Sequence, residues 1–200
     1  MTSRSITKQF PLDADRLERL HARLERAAHA NNLLDIAYRT VDSTVGTLLL
    51  AATTRGLLRV AFANEGHDRV LQHLSNSVSP RMLESPIRLD PIVRQLDEYF
   101  TNQRDSFNIA LDWSLSTGFR RTVLKRLATK IAYGSTVNYA ALARLSGSPK
   151  AVRAVGTACA TNPVPIVVPC HRVIRSDGTF GAYRGGPAAK RTLLGLEQYR

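Results

Sequence analysis

Two cysteines, Cys159 and Cys170, are all that this chain of 200 residues contains. So few thiols exclude a disulfide framework and fit a reducing compartment. Neither stands in a cluster of histidines or acids, so a zinc site of ordinary ligand count is not expected, nor any other metal. No window is long and apolar enough for a membrane-spanning helix. Met1–Phe10 carries charges without the apolar core of a secretory signal. The expectation is a cytoplasmic protein with no membrane partner. Internal repeats and low-complexity tracts are also missing. The most informative scarcity is of acid. Residues 113–200 hold 14 Lys+Arg against only Asp177 and Glu197, whereas residues 1–112 balance 14 Lys+Arg with 14 Asp+Glu. The whole net charge of +12 therefore sits in the second half. A half-chain that basic points to a polyanionic partner, most often nucleic acid.

The rest of the chain supplies a folded protein with a core of its own. Residues 1–33 form an N-terminal extension in which Leu17, Leu20, Leu24, Ala27 and Ala28 recur at helical spacing, predicting a helix over Asp13–Asn32. Asp13 or Asp15 would cap it, and it would pack on the domain as a solvated helix. Residues 34–104 change pattern. Ile36–Tyr38, Thr47–Thr53 and Leu57–Phe62 are β-rich runs separated by turn residues, which read as an antiparallel meander. A helix over His67–Ser75, a loop over Pro80–Pro91 and an amphipathic helix over Ile92–Phe100 complete this neutral part. A linker over 105–116 leads to the basic remainder.

Residues 117–200 read as mostly helical. Thr117 would cap a helix with Phe119, Val123, Leu127 and Ile131 at four-residue spacing. Asn138 would cap a short helix over Tyr139–Leu145. After Ser146-Gly147, Ser148 would cap the next helix, with Pro149 in its first turn and the helix running over Lys150–Ala160. Helix, glycine-containing turn and helix form a helix-turn-helix pattern whose second helix would face nucleic acid. That helix is built from small residues (Ala151, Ala154, Gly156, Ala158, Ala160) around one long central cation, Arg153. Small residues allow close approach to a groove or to another helix. Ser176-Asp177-Gly178 reads as a hairpin turn. Gly181–Gly186 is a glycine-rich loop that permits close backbone approach to a ligand. Pro187 opens a last helix, with Glu197 near its end.

Between the helix-turn-helix and that loop lies Asn162-Pro163-Val164-Pro165-Ile166-Val167-Val168-Pro169, followed by Cys170-His171-Arg172-Val173. Three prolines prevent a helix and hold the apolar run stiff and extended. A thiol beside an imidazole on a rigid support is the starting arrangement for a nucleophilic cysteine. Glu197 is there either as an ion-pair partner for the surrounding cations or as the orienter of His171.

Pro169-Cys170-His171-Arg172-Val173 is preceded by Asn162-Pro163 and followed by Glu197. Together with Tyr139, Ser148–Arg153 and Gly181–Gly186 it resembles the O6-alkylguanine-DNA alkyltransferases, the methylated-DNA–protein-cysteine methyltransferases. The resemblance implies an α/β plus α fold. Its N-terminal α/β domain is ribonuclease-H-like, and its C-terminal helical domain carries a winged helix-turn-helix. It also implies direct DNA repair, in which the alkyl group on O6 of guanine (less efficiently O4 of thymine) moves irreversibly to the protein's own cysteine without a cofactor. The implied partner is double-stranded DNA containing O6-alkylguanine, with no obligate protein partner. Cooperative self-association on DNA is left open. On this resemblance Cys170 is the acceptor, His171 takes its proton through a water, Glu197 orients His171, and Asn162 holds the turn. Tyr139 stabilises the rotated nucleotide and helps protonate the leaving guanine. Arg153 fills the vacated stack from the minor groove while Ala151, Ala154 and Gly156 approach the DNA. The main chains of Val173 and Arg184 line the base pocket, with Tyr183 packed over it.

The extension over Asp13–Asn32 has no counterpart in the minimal family pattern, and N-terminal zinc-binding or phosphotriester-accepting cysteines are missing. Three rivals fit less of the chain. A non-enzymatic lesion binder of the same fold would lack Cys170. A Cys-His-Glu hydrolase would have no use for a small-residue helix with a central arginine. A plain DNA-binding regulator leaves Pro169–Val173 unexplained.

Overall fold

The computed structural model describes residues 14–31 and 33–198. Among these residues six short runs are strands and seven are α-helices. Strands β1 (Ile36–Val41), β2 (Leu48–Thr53) and β3 (Gly56–Phe62) form the expected antiparallel meander. The side chains of β2 are almost all buried, because the two faces of this strand meet different cores. Leu48, Leu50 and Ala52 point into the larger core, shared with the second half of the chain. Leu49 and Ala51 point into a smaller one, closed by Val70 and Leu74 of helix α2 (His67–Ser77). A strand covered on both faces reads as an unbroken apolar run, and this one does.

The loop expected over Pro80–Pro91 is not there. Met82–Glu84 is a fourth strand, β4, pairing parallel to β1 and giving the order β3-β2-β1-β4. Helix α3 then starts at Pro86 and runs to Phe100 with Pro91 inside it. Pro86 takes the first-turn position, where a missing N–H costs nothing. Pro91 removes a single bond, to the carbonyl of the exposed Ile87. Leu89, Ile92, Leu96 and Tyr99, buried against the sheet, keep the helix continuous.

Helix α1 spans Ala14–Ala30, close to the expected range; Asp13 and Asn32 lie outside the described residues. Its orientation reverses the one its pattern suggests. Leu17, Leu20 and Leu24 are 46%, 51% and 54% exposed, while Glu25 is buried and accepts the Ser85 hydroxyl at 2.5 Å. His21 Nε2 also meets the Glu84 carbonyl at 2.7 Å. Two polar contacts to the β4–α3 corner therefore hold α1.

The segment 105–116 packs along the sheet edge: Leu57 N–H donates to Ala110 O at 2.8 Å, and Asp112 N–H donates to Leu57 O at 2.9 Å. Helix α4 (Gly118–Lys130) buries Val123, Leu124 and Leu127. Thr117 occupies its N-cap position without making the expected side-chain bond. Asn138 does make its cap, accepting from Ala141 N–H at 2.8 Å at the start of α5 (Tyr139–Leu145). Ser148 and Pro149 do not start a helix. They form a turn in which Ala151 N–H donates to Ser148 O, so α6 begins at Val152 and ends at Ala160. Strands β5 (Val137–Asn138) and β6 (Val173–Ile174) pair in parallel beside this unit. The turn at Ser176–Gly178 forms but opens into a loop instead of a return strand. Helix α7 (Gly186–Gln198) packs against the same core. Among the described residues no helix is long and apolar enough to cross a membrane.

Candidate active site

Glu197, near the end of α7, is the hub of the site. It is buried, and its two carboxylate oxygens collect donors from three parts of the chain. Tyr99 Oη of α3 donates to Oε1 at 2.7 Å, and Arg172 reaches Oε2 through Nε at 2.9 Å and Oε1 through Nη2 at 3.0 Å. Gly134 N–H points at Oε2 at 3.4 Å, and His171 Nε2 lies 2.8 Å from Oε1. Burial raises this carboxyl, but the hydrogen bonds from His171 and Arg172 and the charge of Arg172 outweigh it and hold it at about 2, against an ordinary 4.5. An ionised carboxylate only accepts, so His171 Nε2 must carry the hydrogen. The second ring nitrogen, Nδ1, is then the basic one. It is buried and has no protein partner. Burial also lowers the His171 pKa, so the ring is neutral at physiological pH and free to take a proton there.

The other end of the site is a turn. Asn162 is buried and uses both ends of its amide. Nδ2 donates to Val168 O at 2.9 Å and lies 3.2 Å from Cys170 Sγ, while Oδ1 accepts Val164 N–H at 3.0 Å. Val60 of β3 donates its N–H to Pro163 O at 2.9 Å. The run expected to be stiff and extended is folded back on itself through Ile166, whose φ is +73°. A β-branched side chain in that region costs of order 1–3 kcal/mol, and Asn162 and the prolines hold it in place. Ile166→Gly would remove the strain but empty a fully buried site, a change of roughly 2–5 kcal/mol on the scale of large-to-small core substitutions. The lost packing outweighs the relieved strain, so this variant should lose about 1–3 kcal/mol in urea unfolding. A stabilised variant would show that strain dominates this turn.

Cys170 begins a short 3-10 turn and is only 4% exposed. Its pKa rises from 9.0 to about 11, because burial outweighs the Asn162 hydrogen bond and the charges of Lys190 and Arg184. A basic surrounding field therefore does not make it a resting thiolate. The neutral pair, thiol and imidazole, is the resting state. The same shift makes a stability prediction. The unfolded thiol loses its proton first as pH rises, so stability present below about pH 9 is lost towards pH 11, by about 2–3 kcal/mol. Cys159, also buried and also raised, acts in the same direction. Urea unfolding across that range should show a smaller loss in Cys170→Ala than in the parent, and parallel curves would contradict the shift.

The loop after β6 covers this chemistry. Tyr183 stands edge-on to His171, with ring centroids 6.3 Å apart, and edge-on to Phe62 at 5.5 Å. Two glycines let the loop come this close. A Cβ on Gly181 would lie 2.2 Å from Tyr139 Oη, and one on Gly185 would lie 2.7 Å from the Phe62 ring. Tyr139 is thereby held against the loop, and burial near Cys159 and Cys170 raises its pKa. Arg184 is tied to Ala160 O at 3.2 Å and to Glu65 Oε2 at 3.1 Å, and its own carbonyl accepts Asn64 Nδ2 at 3.0 Å. Val173 is fully buried and its carbonyl takes Lys190 Nζ at 2.6 Å. On α6, Val155, Ala158 and Cys159 face the core. Arg153 and Ala154 are exposed on the outer face, with Ala151 and Gly156 half-buried.

Residues 36–113 match the family model described as the ribonuclease-like domain of 6-O-methylguanine DNA methyltransferase. Residues 118–199 match the one described as its DNA binding domain. A methylated-DNA–protein-cysteine methyltransferase of Mycolicibacterium paratuberculosis is 41% identical over 82% of this chain and 93% of its own length. The crystal structure of the Mycobacterium tuberculosis O6-methylguanine methyltransferase superposes with a TM-score of 0.72 at 37% identity, covering 82% of this chain and 94% of that one. A structure of OGT from the same organism in complex with DNA gives 0.70 at 37% identity, over 81% and 92%. The chain belongs to the methylated-DNA–protein-cysteine methyltransferases.

For a methyltransferase of this family, the structure places the expected His171 against Glu197 and Asn162 against Cys170, with Tyr139 against the loop, and adds three neighbours that the sequence reading did not name as site residues. Tyr99 lies 98 residues from Glu197, in the other half of the chain, and nothing local marks it. Arg172 is visible only as a letter of the motif. It is buried, with Nη1 on Ile131 O at 2.7 Å as well as its two bonds to Glu197. Lys190 is 1% exposed, bonded to a backbone carbonyl and lying 5.8 Å from the centre of the Phe180 ring. Among the described residues no group of three or more metal-ligating side chains is assembled.

Proposed function

We propose that this methyltransferase repairs DNA by direct reversal. It moves the alkyl group from O6 of guanine, and less efficiently from O4 of thymine, to Sγ of Cys170. The observation that carries this reading is the His171–Glu197 hydrogen bond next in sequence to a buried Cys170, which leaves a buried imidazole whose free nitrogen is basic. The thiol proton passes to Nδ1 through a water as Sγ attacks the alkyl carbon. The S–C bond forms, the C–O6 bond breaks, and the departing guanine gains a proton. Tyr139 would help deliver that proton at N3, so the net result moves the thiol hydrogen to the base. Glu197 stabilises the imidazolium that forms, as the buried acid of a hydrolytic triad does. The product is a thioether with no leaving group to hydrolyse, so one turnover ends the protein's activity.

O6 of a paired guanine cannot reach a buried thiol, so the nucleotide has to rotate out of the duplex. Arg153, exposed on α6 with no hydrogen bond or ion pair from its guanidinium among the described residues, would take the emptied place from the minor groove. Ala151, Ala154 and Gly156 beside it would let the helix approach. The backbone of Val173 and Arg184 lines the pocket for the rotated base, and Tyr183 packs over it. The test is to incubate the protein with duplex DNA containing O6-methylguanine and map the added methyl by peptide mass spectrometry. The expected site is Cys170, one methyl per chain. A methyl on Cys159, or none on the protein, would overturn the reading.

A further inference from the structure

A cavity of about 660 Å3 opens between the two halves of the chain, next to the site but outside it. Arg59, Arg69, Arg120 and Arg184 line it, and the only carboxylate among its lining residues is Glu65. That carboxylate is already spent. Its Oε2 is shared by Arg59 and Arg184, and its Oε1 accepts the Phe62 N–H at 3.0 Å. Each arginine is anchored by part of its fork on a fixed acceptor and keeps other N–H groups unused. Arg59 Nη1 holds Pro163 O at 3.0 Å, Arg69 holds Glu65 O through Nε at 3.1 Å and Nη2 at 2.6 Å, and Arg120 Nη2 holds Leu115 O. Anchored guanidinium groups lose little freedom when they bind, and their planar forks suit phosphate oxygens. Four cations facing one neutralised acid repel each other, and the repulsion from Arg184 adds to burial in lowering the Arg59 pKa. The arrangement gains from an anion.

We infer that this cavity takes a backbone phosphate of the bound DNA, carrying the footprint from the helix-turn-helix onto the N-terminal half. This rests on the proposed function above in taking DNA as the substrate. DNA is favoured over a free ion because Thr161 and Pro163, at the end of α6, line the same cavity. A bound duplex lying on α6 passes this opening. The C-terminal end of α6 brings about half a negative charge, which disfavours an anion, but four guanidinium groups outweigh it. The first 112 residues are neutral overall, so Arg59 and Arg69 at this place are not part of a general basic coat.

The test is the salt dependence of binding to a duplex oligonucleotide, with and without O6-methylguanine. The double variant Arg69→Gln/Arg120→Gln keeps a donor for Glu65 O and Leu115 O but removes two charges. The slope of log K against log salt should fall by about 1, as one lost phosphate contact requires, with roughly tenfold weaker binding at low salt. Arg69→Lys/Arg120→Lys should restore most of the slope. Transfer from free O6-benzylguanine, which has no phosphate, should keep its parental rate in both variants. Loss of that rate in the Gln variant together with no recovery of the slope in the Lys variant would assign these arginines to the fold and overturn the inference. A parental slope in the Gln variant would overturn it outright. If inorganic phosphate raises the melting temperature of the parent but not of the Gln variant while the slope stays parental, the cavity holds a small free anion and not DNA. Parental transfer from the duplex is the control: if the parent itself fails to transfer, the proposed function falls, independently of the slope.

Discussion

Cys170→Ser should accept no alkyl group from modified DNA while binding the duplex within about twofold of the parent. The loss should be complete because two deficits add. A serine hydroxyl is far less acidic than a thiol. The base available to it, His171, has a pKa pushed below its ordinary value by burial and so pulls weakly. Attack on a saturated carbon also needs the polarisable sulfur. Binding should survive because Cys170 is inside the protein and contributes nothing to the exposed face of α6. The fold should survive too, since Asn162 Nδ2, now 3.2 Å from Sγ, can donate to Oγ and spare the new hydroxyl an unsatisfied burial. Cys159→Ala should transfer normally. Cys159 packs in α6 with no side-chain hydrogen bond to its Sγ among the described residues, and its pKa is raised further than that of Cys170. Stoichiometric labelling with a modified duplex, read by mass spectrometry of the intact chain, decides between them. Labelled Cys170→Ser would move the acceptor elsewhere and with it the whole mechanism.

The candidate site residues are legible because their types are unusual at their positions. A Cys-His pair after three prolines, and one of two acids in a basic half-chain, stand out without a structure. What holds them is not legible. Tyr99 of α3 and Glu197 of α7 meet across 98 residues, a contact set by tertiary topology and not by any local pattern. Lys190 reads as a surface cation, since buried lysines normally need an acid. Its actual partner is the carbonyl of Val173, and backbone acceptors leave no mark in a sequence. Helical spacing locates α1 but not its buried face. Periodicity shows that a helix has two faces, while the Glu25–Ser85 contact determines which one is covered. The prolines mislead in opposite directions. Pro86 and Pro91 suggest a loop where packing keeps a helix, and the Pro163–Pro169 run suggests a stiff, extended segment where Ile166 turns the chain back.

Arg153→Ala should slow transfer from duplex DNA by two to three orders of magnitude while weakening binding by less than tenfold. A phosphate contact could be filled by several cations of the basic half, whose many charges share the electrostatic attraction. A wedge is different, because it must be long and must stand at one place. Arg153 satisfies both conditions: it is exposed on α6, with an exposed Ala154 beside it and Val155 and Cys159 holding the helix from behind. Rotating a paired base out of the stack costs a few kcal/mol, and at about 1.4 kcal/mol per factor of ten that is the size of the expected loss. The cost is smaller for a mismatched or single-stranded target and is not incurred by the free modified base. The penalty should therefore shrink on a mismatched lesion and nearly vanish on free O6-benzylguanine. Arg153→Lys, long but without the flat fork, should fall between parent and alanine on the duplex. Single-turnover rates on the three substrates give the answer. An equal loss on all of them would mean that Arg153 supports the fold or the chemistry, and the wedge would have to be found elsewhere on α6.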